Sequence, residues 1–190
     1  VAEELLEEEE ELAGETAQER ARRESAMAQI RQLGDPVLRT KALEVSVFDE
    51  RLAADVERMR RLMDDALGVG LAATQIGMLA RVLVYRVEPE SPTAALVNPR
   101  IEWRGEQTET MEEGCLSIPG IRVDVERPVH LRVGAADERG RKVTVEASGL
   151  EARVLAHEID HLDGVLMLDR ASRAQRREAI RAWRDRQQQA

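Results

Sequence analysis

The chain predicts an α+β domain, and three observations carry that expectation. A helical apolar period precedes a block of alternating, strand-like segments, and helical periods return only after that block. Strict alternation of strand with helix, the mark of a parallel doubly wound sheet, is missing. At 190 residues the chain suits one domain with its own core, which must be aliphatic because only Phe48, Tyr85, Trp103 and Trp183 are aromatic.

Residues 1–26 read as an acidic N-terminal extension, helical or disordered, ahead of a single domain over 27–190. The extension holds ten Glu and three Arg, or −7 of the formal −9, so the domain itself is nearly neutral. It lacks the apolar centre of a secretory signal. From Asp49, a plausible N-cap, Leu52, Val56, Met59, Leu62, Met63, Ala66 and Leu67 form one face of a helix, with Gly68 as its natural stop. The period then changes. Residues 81–87 alternate as a strand does, and 94–103 contain another that Asn98-Pro99 interrupts. Residues 121–126, 129–133 and 142–147 read as an antiparallel set, with a turn over 137–141 joining the last two. Helices follow over 150–163 and 172–186, the latter within a segment whose seven arginines against three acids give residues 169–190 a net +4.

Composition excludes several functions. No apolar run is long enough to span a bilayer, and no basic stripe crosses the domain to read nucleic-acid sequence. The single cysteine, Cys115, cannot form an internal disulfide, which fits a reducing, cytoplasmic setting. Cys115 itself has three readings: core filler, nucleophile or metal ligand.

Chemistry concentrates in three segments. In His157-Glu158-Ile159-Asp160-His161 two histidines four apart project from one helix face and can grip one ion, and the intervening glutamate can reach a water there. The bland alternative is a polar turn with two solvated imidazoles; His130, alone in a strand, reads as just a strand residue. A catalytic site needs a third ligand. No histidine follows His161, and Glu178 stands alone in an Arg-rich helix, whereas Cys115 lies between Gly114 and Leu116, where a sharp backbone can aim the sulfur. A thiolate with two imidazoles suits a divalent transition metal with one position open. The third segment, Gly68-Val69-Gly70-Leu71-Ala72-Ala73-Thr74-Gln75, allows close backbone approach and offers an amide donor; alone, such a stretch is more often close packing.

Together and in this order, these segments resemble the peptide deformylase family in its compact bacterial form. Its three signatures match residues 68–75, Glu113-Gly114-Cys115-Leu116-Ser117, and 157–161 with Leu162-Asp163-Gly164; Gly34-Asp35-Pro36-Val37-Leu38-Arg39 matches the usual start of the domain. The resemblance implies small antiparallel or mixed sheets around a central metal-binding helix, with a C-terminal helix. It implies hydrolysis of the formyl group from formylmethionine at the amino terminus of newly made peptides, with formate released. Metal-activated water would be the nucleophile. Cys115, His157 and His161 would hold one divalent ion, Fe2+ in the cell, with Zn2+, Ni2+ or Co2+ as substitutes. Glu158 would act as general base and then acid, and Gln75 with the Leu116 N–H would stabilise the oxyanion. Val69, Gly70, Met111, Gly114, Arg122, Leu150, Arg153 and Val154 match substrate-binding positions, although Arg153 stands where better-known relatives carry an apolar residue. Relatives also suggest a ribosome contact through the Arg-rich C-terminal helix. The same helix motif serves ordinary peptidases, and a catalytically inactive peptide or ribosome binder is the remaining rival.

Overall fold

A computed structural model of the chain describes residues 14–189; the 7–11 glutamate run of the extension lies outside them. The described chain opens on helix α1 (Ala17–Met27). Thr16 and Glu19 cap it reciprocally: the Glu19 N–H donates to Thr16 Oγ1 at 3.2 Å, and the Thr16 N–H donates to Glu19 Oε2 at 2.8 Å. Most of α1 is exposed, and Ala26 is its one fully buried residue.

Helix α2 (Glu50–Asp65) begins where the sequence predicts, with Asp49 Oδ1 accepting from the Leu52 N–H at 3.0 Å. It buries Leu52, Val56, Met59, Leu62 and Met63, each contributing about 2 kcal/mol of apolar transfer. Its end differs from expectation. Leu67, not Gly68, takes the left-handed conformation (φ 56°), and the Gly68 N–H reaches back to Met63 O at 2.9 Å. Gly68 serves another purpose: a Cβ there would lie 2.9 Å from Leu116 Cδ1, so its small size lets the Cys115 loop approach.

The strands are β1 (Gly70–Ala72), β2 (Val82–Tyr85), β3 (Ala94–Arg104), β4 (Thr108–Glu113), β5 (Val123–Pro128), β6 (His130–Ala136) and β7 (Lys142–Ser148). An antiparallel sheet runs β1-β2-β3-β6-β7, and β4 with β5 forms a separate hairpin. The expected antiparallel set is thus split: β6 and β7 pair, while β5 pairs with β4, a strand the sequence pattern did not reveal. Exposed Thr108, Glu109, Thr110 and Met111 carry no apolar alternation, which is why β4 was invisible. The predicted interruption of β3 is a bulge. Asn98 adopts φ 54°, and its amide exchanges two hydrogen bonds with the Val45 backbone, at 2.8 and 2.9 Å.

At β1 and β2 the five-stranded sheet is buried on both faces, whereas β6 and β7 turn alternate residues to solvent. Val82 and Val84 point to α2, and Leu83 and Tyr85 point to helix α3 (Gly149–Leu162). Every residue of α3 from Ala152 to Leu162 is buried. A helical turn (Met167–Arg170) leads to α4 (Arg173–Gln189), whose Ala179 and Trp183 cover Leu38, Ile118, Val123 and Val125. The fold is α+β, with antiparallel sheets around one central helix and a helix at the C-terminus, as the sequence predicts.

Candidate metal centre and active site

One helical turn separates His157 from His161 on α3, so their rings leave the same face, with centroids 4.9 Å apart at 67°. Cys115 arrives from the loop after β4, where the Ile118 N–H donates to Cys115 O at 2.9 Å and closes a turn. That turn sets Sγ 3.2 Å from His161 Nε2, and one ligand atom from each of the three residues lies within 4.8 Å of the others. The sharp backbone expected beside Cys115 is this turn, and it needs no left-handed residue at Gly114. No positive φ occurs there, and an added Cβ would meet only Arg122 Cγ at 4.0 Å, so Arg122 lies against it.

Glu113, the last residue of β4, orients the first histidine. Its Oε2 lies 3.0 Å from His157 Nδ1, while its two oxygens accept from Arg127 Nε and Nη2 at 2.9 and 3.0 Å. Burial would raise the Glu113 carboxyl, but the hydrogen bonds from His157 and Arg127 bring it down to about 2. Ionised Glu113 can only accept, so it receives a hydrogen bond from His157 Nδ1–H and orients Nε2 toward the cluster. Burial opposes charge on His157 as well, yet contacts with Cys115 and Glu113 raise it well above the ordinary imidazole range. His161 falls well below that range, through burial first and the charge of His157 second.

Glu158 is 4% exposed, and its carboxylate presses on β1, where a Cβ on Gly70 would sit 2.5 Å from Oε1. Glycine at 70 is therefore demanded by the glutamate. Burial pushes the Glu158 carboxyl up to about 7, with His157 opposing and the charge of Glu113 adding. Its Oε2 and His161 Nδ1 are buried with no hydrogen-bond partner among the described residues. Gln75, in the 3-10 turn Ala73–Ile76, is held from both ends. Its Oε1 accepts from the Ala72 N–H at 2.8 Å, and Nε2 faces Ser117 Oγ at 3.3 Å and Cys115 Sγ at 3.7 Å. Leu116 follows the cysteine, with its carbonyl accepting from Gln32 Nε2 at 3.4 Å.

The remaining expected positions divide. Val69, Met111 and Leu150 are apolar yet 48%, 40% and 52% exposed, on the segments that carry Gly70, Glu113 and the histidines. Val154 is buried in the core between α3 and the sheet. Arg153 is 6% exposed, with its guanidinium bound to Glu113 Oε1 (2.8 Å), Val125 O (2.9 Å) and Glu109 O (2.8 Å). Sequence reasoning missed Arg127 and Arg170. Arg127 Nη1 donates to Asp160 at 2.5 Å, and Arg170 forks the same carboxylate at 3.0 and 2.6 Å. A signal existed for Arg127: it continues the inward-facing series Val123, Val125, where an arginine must find buried partners.

The donor set fits a divalent transition metal, because a thiol and two imidazoles converge and a buried carboxylate oxygen beside them is unpaired. An α+β frame with a helix-borne histidine pair, a hairpin cysteine and a buried glutamate defines a metal-dependent hydrolase. The sequence model of the polypeptide deformylase family matches residues 27–177. The peptide deformylase of Treponema pallidum (strain Nichols) is 46% identical over 151 residues, covering 80% of this chain and 92% of the relative. That of Picosynechococcus sp. (strain ATCC 27264 / PCC 7002 / PR-6) is 42% identical over 155 residues, covering 80% and 83%. Among solved structures, a peptide deformylase from Synechococcus elongatus in complex with actinonin superposes with a TM-score of 0.78 at 41% identity, covering 80% of this chain and 85% of that one. This chain belongs to the polypeptide deformylase family.

Proposed function

We propose that this protein is a peptide deformylase that removes the N-formyl group of formylmethionine from newly made peptides in the cytoplasm, releasing formate. One observation carries the reading: Cys115, His157 and His161 converge beside Glu158, a buried carboxylate with an unpaired oxygen. Those three residues would hold one divalent ion, Fe2+ in the cell, with Zn2+, Ni2+ or Co2+ able to occupy the same donors. Such an ion supplies Lewis acidity, making water acidic near neutral pH and polarising the formyl carbonyl. Glu158 takes the proton of the attacking water and passes it to the leaving amine. Gln75 Nε2 and the Leu116 N–H donate to the oxygen on which negative charge develops.

Substrate placement follows from β1, which is an edge strand. The Val69 carbonyl accepts from the Arg86 N–H at 2.9 Å, so by antiparallel alternation the N–H and C=O of Gly70 face away from β2. A peptide can add there as another strand, with the exposed side chains of Val69, Met111 and Leu150 around its methionine. Arg122 and Gly114 border the approach, and Arg153 and Val154 support it from beneath. Formate release from formyl-Met-Ala is the direct test. Release of formate supports the proposal; cleavage of internal peptide bonds, or no turnover by metal-loaded protein, refutes it.

A ribosome contact through α4 extends this reading. Among the described residues no helix is long and apolar enough to cross a membrane. Helix α4 turns Ala179 and Trp183 inward, which leaves Arg173, Arg177, Arg181 and Arg184 exposed for phosphate. The enzyme should co-sediment with ribosomes at low salt and less so at moderate salt. Replacing those four arginines with Gln should abolish pelleting while sparing hydrolysis of a free peptide. Undiminished pelleting by that variant rules the contact out.

A further inference from the structure

The two donors assigned to the oxyanion come from segments far apart in sequence, and residues 30–33 join them. The Arg31 N–H donates to Gln75 O at 2.7 Å, and the Leu33 N–H donates to Ser117 O at 2.9 Å. Between these bonds the Gln32 side chain reaches Leu116 O at 3.4 Å and Ile30 O at 3.2 Å. The segment is anchored on both sides. Ile30, 4% exposed, sits in the core that α1 and α2 share, and Leu33 packs with Cys115 and Ile118 in the core beneath α4. Arg31 also covers Gly77, the left-handed residue that ends the Gln75 turn: its Nε lies 3.0 Å from where a Cβ of Gly77 would stand.

We propose that residues 30–33 form a strap that sets the spacing of Gln75 and Leu116, with Arg31 and Gln32 as positioning residues for the deformylation step. This rests on the oxyanion roles proposed above. Sequence separation makes the need plain: Gln75 rides on a turn after β1, and Leu116 on the loop between β4 and β5, which belong to different sheets. Within the site the direct tie between the two loops is the side chain of Gln75, through Ser117 and Cys115. The strap adds a main-chain tie from the opposite side, at the carbonyl of Gln75 itself and at the residue after Leu116. Preorganised donors act only if they stand where charge develops, and a displacement of about 1 Å can cost up to about 100-fold in rate. Arg31 and Gln32 make no hydrogen bond to an assigned metal ligand, and Leu33, which packs with Cys115, is left unchanged, so the effect of altering them should fall on turnover.

Three variants test this in the full, metal-loaded chain. Gln32→Ala removes the side-chain tie to Leu116; Arg31→Pro removes the N–H that holds Gln75 O; Arg31→Ala keeps that N–H and separates side-chain from main-chain effects. With formyl-Met-Ala, Gln32→Ala should lower kcat by about fivefold and Arg31→Pro by about 10- to 100-fold. KM, bound metal per chain and inhibition by the product peptide Met-Ala should stay within about twofold of the parent, and Arg31→Ala should lie nearer the parent than Arg31→Pro. A merely structural strap would lower the melting temperature and leave kcat of the folded protein unchanged, and that result overturns the proposal. So does a rise in KM or a loss of metal that accounts for the rate. If Arg31→Pro does not fold, Gln32→Ala decides: unchanged kcat there is refutation. The same assay keeps the two readings apart, because a parent protein that releases no formate defeats the deformylase function itself.

Discussion

Replacing Glu113 with Gln should both destabilise the protein and loosen its grip on metal. The carboxylate is buried and engages four donors: Arg127 Nε and Nη2, Arg153 Nη1 and His157 Nδ1, all at 2.8–3.0 Å. The amide keeps the size and one acceptor oxygen, but its NH2 must face a donor, Arg153 loses the carboxylate it pairs with, and Arg127 loses one of its two. Breaking a buried pair from one side costs about 3–5 kcal/mol. The lower end applies here, because Asp160 still accepts from Arg127 at 2.5 Å and two backbone carbonyls still hold Arg153. About 3 kcal/mol corresponds to a melting temperature lower by roughly 6–12 °C for a domain of this size. Loss of the His157 orienter should weaken metal binding about 10- to 100-fold. Calorimetry and competition with a chromogenic chelator would measure the two effects, with Glu126→Gln on the exposed side of β5 as the control. Arg153→Met should cost less in the Glu113→Gln background than alone, since the two share a bond. A melting temperature within 2 °C of the parent, together with unchanged metal affinity, would show that the network contributes nothing as described.

Glu158→Gln should keep the metal and lose about 10²–10⁴-fold or more in kcat, checked by metal content alongside formate release; near-parental turnover would reassign the base. Protein loaded anaerobically with ferrous iron should outperform its zinc form and lose activity in air, because thiolate ligation by Cys115 exposes an oxidisable group. Equal, air-stable activity of the two forms would contradict that. Deleting residues 1–24 removes exposed turns of α1 but spares Ala26, so turnover should stay within about twofold and stability should fall by about 1 kcal/mol or less. A tenfold loss of activity would reveal a catalytic role for the extension.

The sequence made the helices and the metal cluster legible because each has a local signature. Asp49 caps α2 as predicted, and the i,i+4 spacing of His157 and His161 is a property of any helix. What stayed hidden depends on partners distant in sequence. The pairing of β5 with β4 could not be read, since β4 is polar and exposed along most of its length. The family resemblance puts Arg153 at the substrate pocket, but only the fold shows its side chain bound to Glu113 and to the carbonyls of Glu109 and Val125 on the hairpin. The sequence marks Gly68 as a helix stop, whereas its constraint in the fold is the side chain of Leu116, which is far away along the chain.

The unbroken burial of α3 from Ala152 to Leu162 bears on how this protein can change over time. A helix with a wet face offers positions where substitutions drift at little cost. Here every position along that stretch meets either apolar packing, a reactive side chain or a buried ion pair, so a change in this segment has to be matched by one elsewhere. Variation should accumulate instead at exposed positions of α4 and β4, and a designer seeking new substrate preferences would have more room at exposed Met111 than anywhere along the buried stretch of α3.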